Sequence, residues 1–271
     1  MNNIQNEIKS NLTPEDEYKP SFVHLIHKNN KNINRNYNPN YQNKKIRKKI
    51  ITKTIKPMCN YLEFSEKTFY KTVGLLDSLS SKYLFDNKTF QKVALICMSF
   101  ASKTQEIQKK ALLINALDMI IENPDEDYQN LEKQLLICLN FNVNIITPQD
   151  YISELLDMEI VYKGIKCNVR KKFRKSVLRL TYHTCLEYET NQFTSLAVAL
   201  SIISTNRKLF GCDDNLPQSL QTQTNYSKDI LKLSYNSITR ISMKLIKKFS
   251  KINKSFSSDS TQTTSSEIEI E

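Results

Sequence analysis

Few side chains in this sequence have the types and spacing that catalysis or metal binding requires. His24 and His27 lie three residues apart on a short apolar segment, so they could share one face of a helix and begin a metal site. No third ligand follows nearby, and we therefore expect no metal there. His183 has no serine or cysteine motif beside it, and the acidic residues at 125–127 are typical of the first turn of a helix. The sequence predicts a protein that is not an enzyme.

The glycines and cysteines exclude further classes of site. Gly74, Gly164 and Gly211 are the only glycines, and they cannot form the GxGxxG or GxxxxGK[ST] loops that hold nucleotide phosphates. So few glycines also disfavour a protein with many tight β-hairpins. The six cysteines are spread singly without a CxxC pair, which indicates a reducing compartment and neither a zinc ribbon nor a disulfide framework. We expect no cofactor and no metal.

Positive charge is the strongest feature of the composition. The 39 Lys and Arg residues exceed the 28 Asp and Glu residues, and the net charge of +11 suits an acidic partner or nucleic acid. Much of the excess lies in two runs, Lys44 to Lys53 and Lys166 to Arg179, in which apolar residues recur at helical spacing. Both runs fit solvated faces of helices, and direct contact with nucleic acid is the alternative.

The most apolar predicted helix runs from Phe90 to Glu106. Its apolar residues recur at i, i+3, i+4 and i+7, and further apolar residues cover most of its circumference. A helix of this kind belongs in the middle of a domain. Ala94 and Ala101 allow neighbouring helices to approach closely, and Lys103 lies in the last turn, where the helix dipole favours a cation. We expect a central helix with one charged residue at its end.

Other segments also carry helical signals, which predicts an all-α fold. Ser65 and Thr147 have the side chains of N-caps, Pro148 suits the first position of a helix, and Pro57 marks a bend or an early stop. The predicted helices besides the central one lie at 18–28, 45–61, 65–82, 111–121, 124–141, 147–158, 169–188 and 193–205.

The helix at 193–205 has the character of the central helix and occupies a corresponding place, so two similar units in tandem are expected. We place an N-terminal arm with a short helix and an Asn-rich linker at 1–43, the first unit at 44–146 and the second at 147–254. A disordered tail rich in Ser, Thr and Glu is expected at 255–271. No secretory signal and no apolar stretch of eighteen residues is visible, so a soluble chain is expected.

Several segments resemble, in order, the N-terminal cyclin box of the cyclin family: LLDSLSSKYLF, ALICMSFASKTQE and LEKQLLICLNFNVNIITPQDYI. A later run resembles the C-terminal cyclin fold, most closely that of D-type cyclins: VRKKFRKSVLRLTYHTCLEYETNQFTSLAVALSII. The TP-x-D-[FY] helix opening of the family is met by Thr147, Pro148, Asp150 and Tyr151. The resemblance covers residues 46–206, and more loosely 21–249. It implies two tandem five-helix cyclin folds.

Cyclins carry a charged set on helices one, two, three and five, and Lys48, Asp77, Lys103 and Glu132 fall at those places. The intervals are 77 − 48 = 29, 103 − 77 = 26 and 132 − 103 = 29 residues, without gaps. The resemblance implies that Lys103 and Glu132 bind the kinase, whereas Lys48 and Asp77 are structural. Lys48 stands where the family usually has Arg, which keeps the charge but loses the bidentate fork that would hold Asp77.

The substrate-docking patch of the family is altered in this sequence. Thr54 replaces its Trp and Arg47 its Met, while Ile50 and Ile51 remain apolar. The resemblance therefore implies a degenerate docking patch formed by Ile50, Ile51 and Thr54.

The resemblance implies a regulatory subunit that binds and activates a cyclin-dependent Ser/Thr protein kinase in cell-cycle control. Substrate or inhibitor proteins are further candidate partners, while neither a membrane nor nucleic acid is an expected partner. The implied location is the nucleus and the cytoplasm, and KKIRKK at 44–49 is either a nuclear address or the start of the first helix. The alternative function is a cyclin-fold transcription factor or adaptor of the TFIIB type, which would bind DNA through its basic helices.

Overall fold

All regular secondary structure in the described part of the chain is helical. A computed structural model describes residues 43–107, 128–212, 217 and 228–258. Within those ranges every element is an α-, π- or 3₁₀-helix, which confirms the predicted all-α class. The short helix predicted at 18–28, the Asn-rich linker up to residue 42 and the helix predicted at 111–121 lie outside the described residues.

The first described helix changes its geometry ahead of Pro57. α1 spans Lys44–Ile50, a π-helical segment covers Ile51–Ile55, and α2 spans Lys56–Tyr61. The amide of Lys56 donates to the carbonyl of Ile51, five residues back, so the helix is widened just before the proline. The helix therefore does not stop at Pro57, which was one of the two outcomes predicted there. In a regular α-helix the proline ring would clash with the carbonyl four residues earlier, and the wider turn relieves that clash.

The predicted central helix is confirmed. α3 spans Glu66–Ser80, α4 spans Asn87–Gln105, and these two helices pack against each other more extensively than any other described pair. The apolar positions of α4 are fully enclosed, including Phe90, Val93, Ala94, Ile96, Cys97 and Ala101. Each large apolar side chain buried in this way stabilises the fold by about 1.5–3 kcal/mol.

Asp86 caps the N-terminus of α4. Its Oδ1 accepts from the amides of Lys88 at 2.9 Å and Thr89 at 3.0 Å, and its Oδ2 accepts from the Thr89 hydroxyl at 2.7 Å. These bonds, those from Thr89 first, favour the charged carboxylate and hold the pKa of Asp86 below its ordinary value of 3.8.

The stability that this cap provides is expected to depend on pH. Asp86→Asn keeps a capping oxygen but removes the charge. Because the pKa is lower in the folded chain, the native advantage over the variant is present above pH 3.8 and is lost as the pH falls through the folded value. Urea unfolding of both chains between about pH 3 and pH 6 measures the difference. A difference that stays constant over that range would contradict the expectation.

Glu106 ties the end of α4 to the start of α3. Ser65 is the N-cap of α3, as predicted, and its hydroxyl accepts from the amide of Thr68 at 3.4 Å. The carboxylate of Glu106 accepts from the Ser65 amide at 2.7 Å and from the Thr68 hydroxyl. The last turn of α4, which carries Lys103, is therefore fixed against a second helix.

Three of the later helices, at Pro148, Arg170 and Ser195, begin within about two residues of their predicted starts, whereas the long helix from Lys228 was not predicted. The start of the helix predicted from residue 124 lies outside the described residues. α5 is described over Tyr128–Cys138, α6 spans Pro148–Leu156, α7 spans Arg170–Leu186, α8 spans Ser195–Leu209 and α9 spans Lys228–Ser258. Short 3₁₀-helices lie at Glu159–Tyr162, Cys167–Val169 and Tyr188–Gln192. At the start of α6 the carboxylate of Asp150 accepts from both the amide and the hydroxyl of Thr147, at 2.7 and 2.8 Å. α9 continues through Ser258, into the segment predicted to be disordered from residue 255.

The buried apolar residues form two clusters. The first draws mainly on α1 to α5 and the second on α6 to α9. Leu186 and Tyr188, from the end of α7 and the segment after it, belong to the first cluster, so the two clusters meet there. The division into two five-helix units at residues 146 and 147 stays a prediction.

Candidate functional site

Lys103 and Glu132 meet on the surface between α4 and α5. The Nζ atom of Lys103 donates to Oε1 of Glu132 at 2.7 Å. The Lys103 side chain is 37% exposed and that of Glu132 is 19% exposed. The structure therefore brings together the two residues for which the resemblance implies a role in partner binding.

A lysine and a glutamate side by side offer donors and acceptors at one place. The ammonium has three N–H groups and the carboxylate has about four lone-pair sites, so among the described residues one mutual bond leaves most of these donors and acceptors unused. The pair can donate to a partner's backbone carbonyl and accept from a partner's amide while it stays intact. Because each side chain already holds the other, less rotamer freedom is lost on binding. Such a pair can bind the backbone of a partner whatever side chains the partner carries.

An unusual helix ending exposes an aromatic ring at the end of α5. The amide of Asn140 donates to the carbonyl of Ile137 at 2.9 Å, and that of Phe141 donates to Leu136 at 2.8 Å. These are the two bonds of a Schellman ending. Asn140 and Phe141 have φ values of 50° and 57°, in the left-handed region that a residue as bulky as Phe rarely adopts. The Phe141 side chain is 70% exposed.

The same ending places Phe141 on the Glu132 side of α5. A Schellman ending brings the residue two beyond the cap next to the residue three before it, which here are Phe141 and Leu136. Leu136 follows Glu132 by four residues, so the two share a face of the helix. Leu136 lies about 6 Å beyond Glu132 along the helix axis. An exposed aromatic ring on a surface that also carries a charged pair is typical of a protein interface. The prediction from sequence missed Phe141, because no glycine marks the ending.

Arg47, and not Lys48, binds Asp77. Nε of Arg47 donates to Oδ1 of Asp77 at 2.5 Å and Nη2 donates to Oδ2 at 2.7 Å, in a bidentate fork. The two side chains are 1% and 7% exposed. Lys48 bonds instead to Glu187, at 2.6 Å. The assignment of Lys48 to Asp77 was wrong by one residue, and the fork that was predicted to be lost is present.

The position of Arg47 follows from the periodicity of its helix. Arg47 precedes the fully buried Ile51 and Ile55 by four and eight residues, so it lies on the core side of α1. Its guanidinium also donates to the carbonyls of Cys185 at 2.9 Å and Leu186 at 3.1 Å, in the last turn of α7. One buried arginine thus joins α1 and α3 to the later half of the chain.

Much of the first basic run is engaged within the chain. Lys44 bonds to Glu189 at 2.9 Å, next to the Arg47 and Lys48 contacts already described. Partial burial is the largest single influence on the pKa of Glu189 and raises it, but the Lys44 bond, a backbone hydrogen bond and the charges of Lys44 and Arg47 together lower the pKa below its ordinary value. Lys45 and Lys49 remain exposed on α1. The structure therefore gives the run a structural role, and the nuclear-address hypothesis stays a prediction.

The predicted docking patch is not available to a peptide. Ile50 and Ile51 are both buried in the first apolar cluster, and Thr54 is half-buried. The prediction was wrong for the two isoleucines because the apolar stripe of α1 faces the core and leaves lysines on the outside.

The described residues give no support to a metal or thiol site. They contain no group of three or more His, Cys, Asp and Glu side chains that could hold a metal ion. Burial raises the pKa of Cys59 to about 12, so this thiol stays protonated at neutral pH. His24, His27 and the acidic residues at 125–127 lie outside the described residues. In the same described part, no helix combines the length and apolar character needed to span a membrane.

Comparison with known proteins gives consistent similarities. Residues 21–144 match the family described as Cyclin, N-terminal domain. Cyclin puc1 of Schizosaccharomyces pombe is 25% identical over 203 residues, which cover 70% of this chain and 55% of that protein. G2/mitotic-specific cyclin-2 of Medicago sativa is 25% identical over 171 residues, which cover 62% of this chain and 49% of that protein. The chain thus spans about half the length of the curated relatives that it matches.

A solved structure shares the fold. The viral cyclin from herpesvirus saimiri superposes with a TM-score of 0.55 at 14% identity, covering 73% of this chain and 84% of that chain. At this identity the likeness concerns the helical architecture alone.

Proposed function

Because residues 21–144 match the cyclin N-terminal domain and curated cyclins are similar over 62–70% of the chain, we propose that the chain is a cyclin, a regulatory subunit that binds and activates a cyclin-dependent Ser/Thr protein kinase in cell-cycle control. The observation that carries the proposal is the surface pair of Lys103 and Glu132, 2.7 Å apart. This pair has the geometry to hold a loop or helix end of another protein by its backbone. Phe141, exposed at the C-terminal end of α5, supplies an apolar anchor on the helix that carries Glu132.

In this proposal the chain supplies conformation and the kinase supplies the chemistry. A protein kinase is active when its mobile C helix places a glutamate against the lysine that orients ATP. Shifting a kinase from ~1% to ~99% in that state requires about 5.5 kcal/mol of preferential binding. An aromatic anchor contributes about 2 kcal/mol, and each hydrogen bond to a charged group contributes about 1.5–3 kcal/mol. One aromatic ring and two charged side chains can therefore supply the preferential binding free energy that the shift requires.

The double substitution Lys103→Ala with Glu132→Ala tests the proposal. We expect the affinity for the kinase to fall by at least about 100-fold, because two charge-assisted contacts are lost. The free energy of unfolding should change by less than about 1 kcal/mol, because both members of a partly exposed ion pair are removed together. A pull-down of the tagged chain identifies the kinase. Titration calorimetry and phosphate transfer to a peptide then compare native and variant chains, with circular dichroism as the check on folding.

Two further variants make the result specific. Lys103→Glu with Glu132→Lys keeps the ion pair and the net charge but exchanges donor and acceptor, so it should also fail to bind. Lys48→Ala with Glu187→Ala removes a chemically identical pair, 2.6 Å apart, between α1 and the end of α7, and should leave binding unchanged. A double alanine variant that activates the kinase as fully as the native chain would overturn the assigned surface.

A further inference from the structure

α7 presents a row of cations on the side that faces away from the core. The row consists of Lys171, Lys172, Lys175 and Arg179, all exposed. By helical geometry these four lie within about 100° of one another. The buried Phe173 and Val177 lie on the opposite side of the same helix. Between residues 163 and 179 the sequence contains eight Lys and Arg residues and no Asp or Glu.

The lysines of this row have no acidic partner among the described residues. Arg170 and Arg174, on the flank of the helix, bond to Glu159 at 2.9 Å and Asp157 at 3.4 Å. Within the described chain, Lys171, Lys172 and Lys175 have no carboxylate in ion-pair contact. Lys171 and Lys175 are one turn apart, where like charges are unfavourable. An anionic segment bound over the row would remove that repulsion.

The chain contains a segment with matching charge. Residues 259–271 include four acidic side chains, Asp259, Glu267, Glu269 and Glu271, and no Lys or Arg. The segment begins where α9 ends, at Ser258, and α9 packs against α8 and α7. Thirteen extended residues span up to about 45 Å, whereas the whole of α7 is about 26 Å long. The last described α9 side chain packed in the second cluster is Leu245, about 20 Å of helix before Ser258, and the reach of the segment exceeds that distance.

We propose that the acidic segment 259–271 binds over the cation row of α7. This inference is independent of the proposed kinase function, which rests on α4 and α5. Six Ser and Thr residues lie within the segment, and each phosphate added there brings about −1.5 to −2 further charge. Phosphorylation therefore strengthens the contact. In the bound state the row is withdrawn from other anionic molecules.

Zero-length cross-linking with a carbodiimide tests where the segment lies. At low salt, mass spectrometry of the full chain should find links from Glu267, Glu269 or Glu271 to the lysines of the row. These links should disappear at about 0.5 M salt, because exposed charges are then screened beyond a few ångströms. Links of equal yield to Lys45, Lys49 and Lys53, an exposed row on α1 and the π segment that follows it, would overturn the proposal.

A Glu-specific protease measures how firmly the segment is held. The variant Lys171→Gln, Lys172→Gln, Lys175→Gln loses three exposed pairs, each worth a factor of about two, so cleavage after Glu267 should become about eightfold faster. The matched variant Lys45→Gln, Lys49→Gln, Lys53→Gln should leave the rate unchanged, because among the described residues α9 packs against α7 and α8 and makes no comparable contact with α1 or the π segment.

Two outcomes contradict the proposal in this assay. Equal cleavage rates in the native chain and in the α7 variant would show that the segment does not bind there. If in addition a DNA duplex of about 20 base pairs bound the native chain and was released by the α7 substitutions, nucleic acid would be the occupant of the row.

Discussion

Arg47→Met is expected to lower the free energy of unfolding by about 3–5 kcal/mol. The substitution leaves the buried carboxylate of Asp77 without the fork that now holds it at 2.5 and 2.7 Å. It also removes the donors that satisfy the carbonyls of Cys185 and Leu186. An uncompensated buried charge costs far more than the pair contributes. Urea denaturation followed by circular dichroism measures the loss.

Neighbouring substitutions separate this effect from a general loss of charge. Lys48→Met removes an exposed partner of Glu187 and should cost less than about 1 kcal/mol. Arg47→Met combined with Asp77→Leu removes both buried charges and should cost less than Arg47→Met alone. Equal losses for Arg47→Met and Lys48→Met would contradict the assignment of Arg47 as the residue that binds Asp77.

The capped and strongly apolar helices were predictable because their determinants are local. Ser65 accepts from the amide of Thr68 in the first turn of α3, and at the start of α6 Asp150 accepts from the amide of Thr147. Both bonds join residues three positions apart, so this chemistry can be read from a few adjacent residues. The apolar circumference of α4 likewise requires burial wherever the helix lies in the fold. The adjacency of Lys103 and Glu132 depends instead on the packing of α4 against α5. It was inferred only through the resemblance to a family whose fold places those positions together.

The spacing of charged residues alone could not show which of the adjacent residues Arg47 and Lys48 binds Asp77. Moving by one residue rotates a side chain by about 100° around a helix, which separates a buried position from an exposed one. Arg47 lies on the same side of the helix as Ile51 and Ile55, so the apolar periodicity indicated that Arg47 is buried. The prediction instead used the interval of 29 residues between Lys48 and Asp77. The same shift in register placed Ile50 and Ile51 on a surface, although both are buried.

The ending of α5 had only a weak signal in the sequence, the asparagine at position 140. Left-handed residues after a helix are usually Gly, and here they are Asn140 and Phe141, with φ of 50° and 57°. A bulky residue keeps such a conformation only when its surroundings determine it, and strained positions of this kind concentrate at functional sites. Because the ring is exposed, it contributes little to the stability of the isolated chain. This combination of strain and exposure points to a partner.

Phe141→Gly is therefore expected to separate stability from binding. Glycine adopts positive φ without strain, so the free energy of unfolding should stay the same or rise by up to about 1 kcal/mol. Affinity for the kinase should fall by about 30-fold or more, because an aromatic anchor at an interface is worth at least about 2 kcal/mol. Urea denaturation and titration calorimetry on the same preparations measure the two quantities.

Asn140→Gly is the matched control for this prediction, because it relaxes the adjacent left-handed residue and keeps the ring. Its affinity for the kinase should equal that of the native chain. If Phe141 served only to close α5, Phe141→Gly would lower stability through the lost contact with Leu136 and leave binding unchanged, the reverse of both expected shifts. A ring that costs backbone strain in the free chain and contributes affinity in the complex is the arrangement expected where binding, and not folding, has determined the residue.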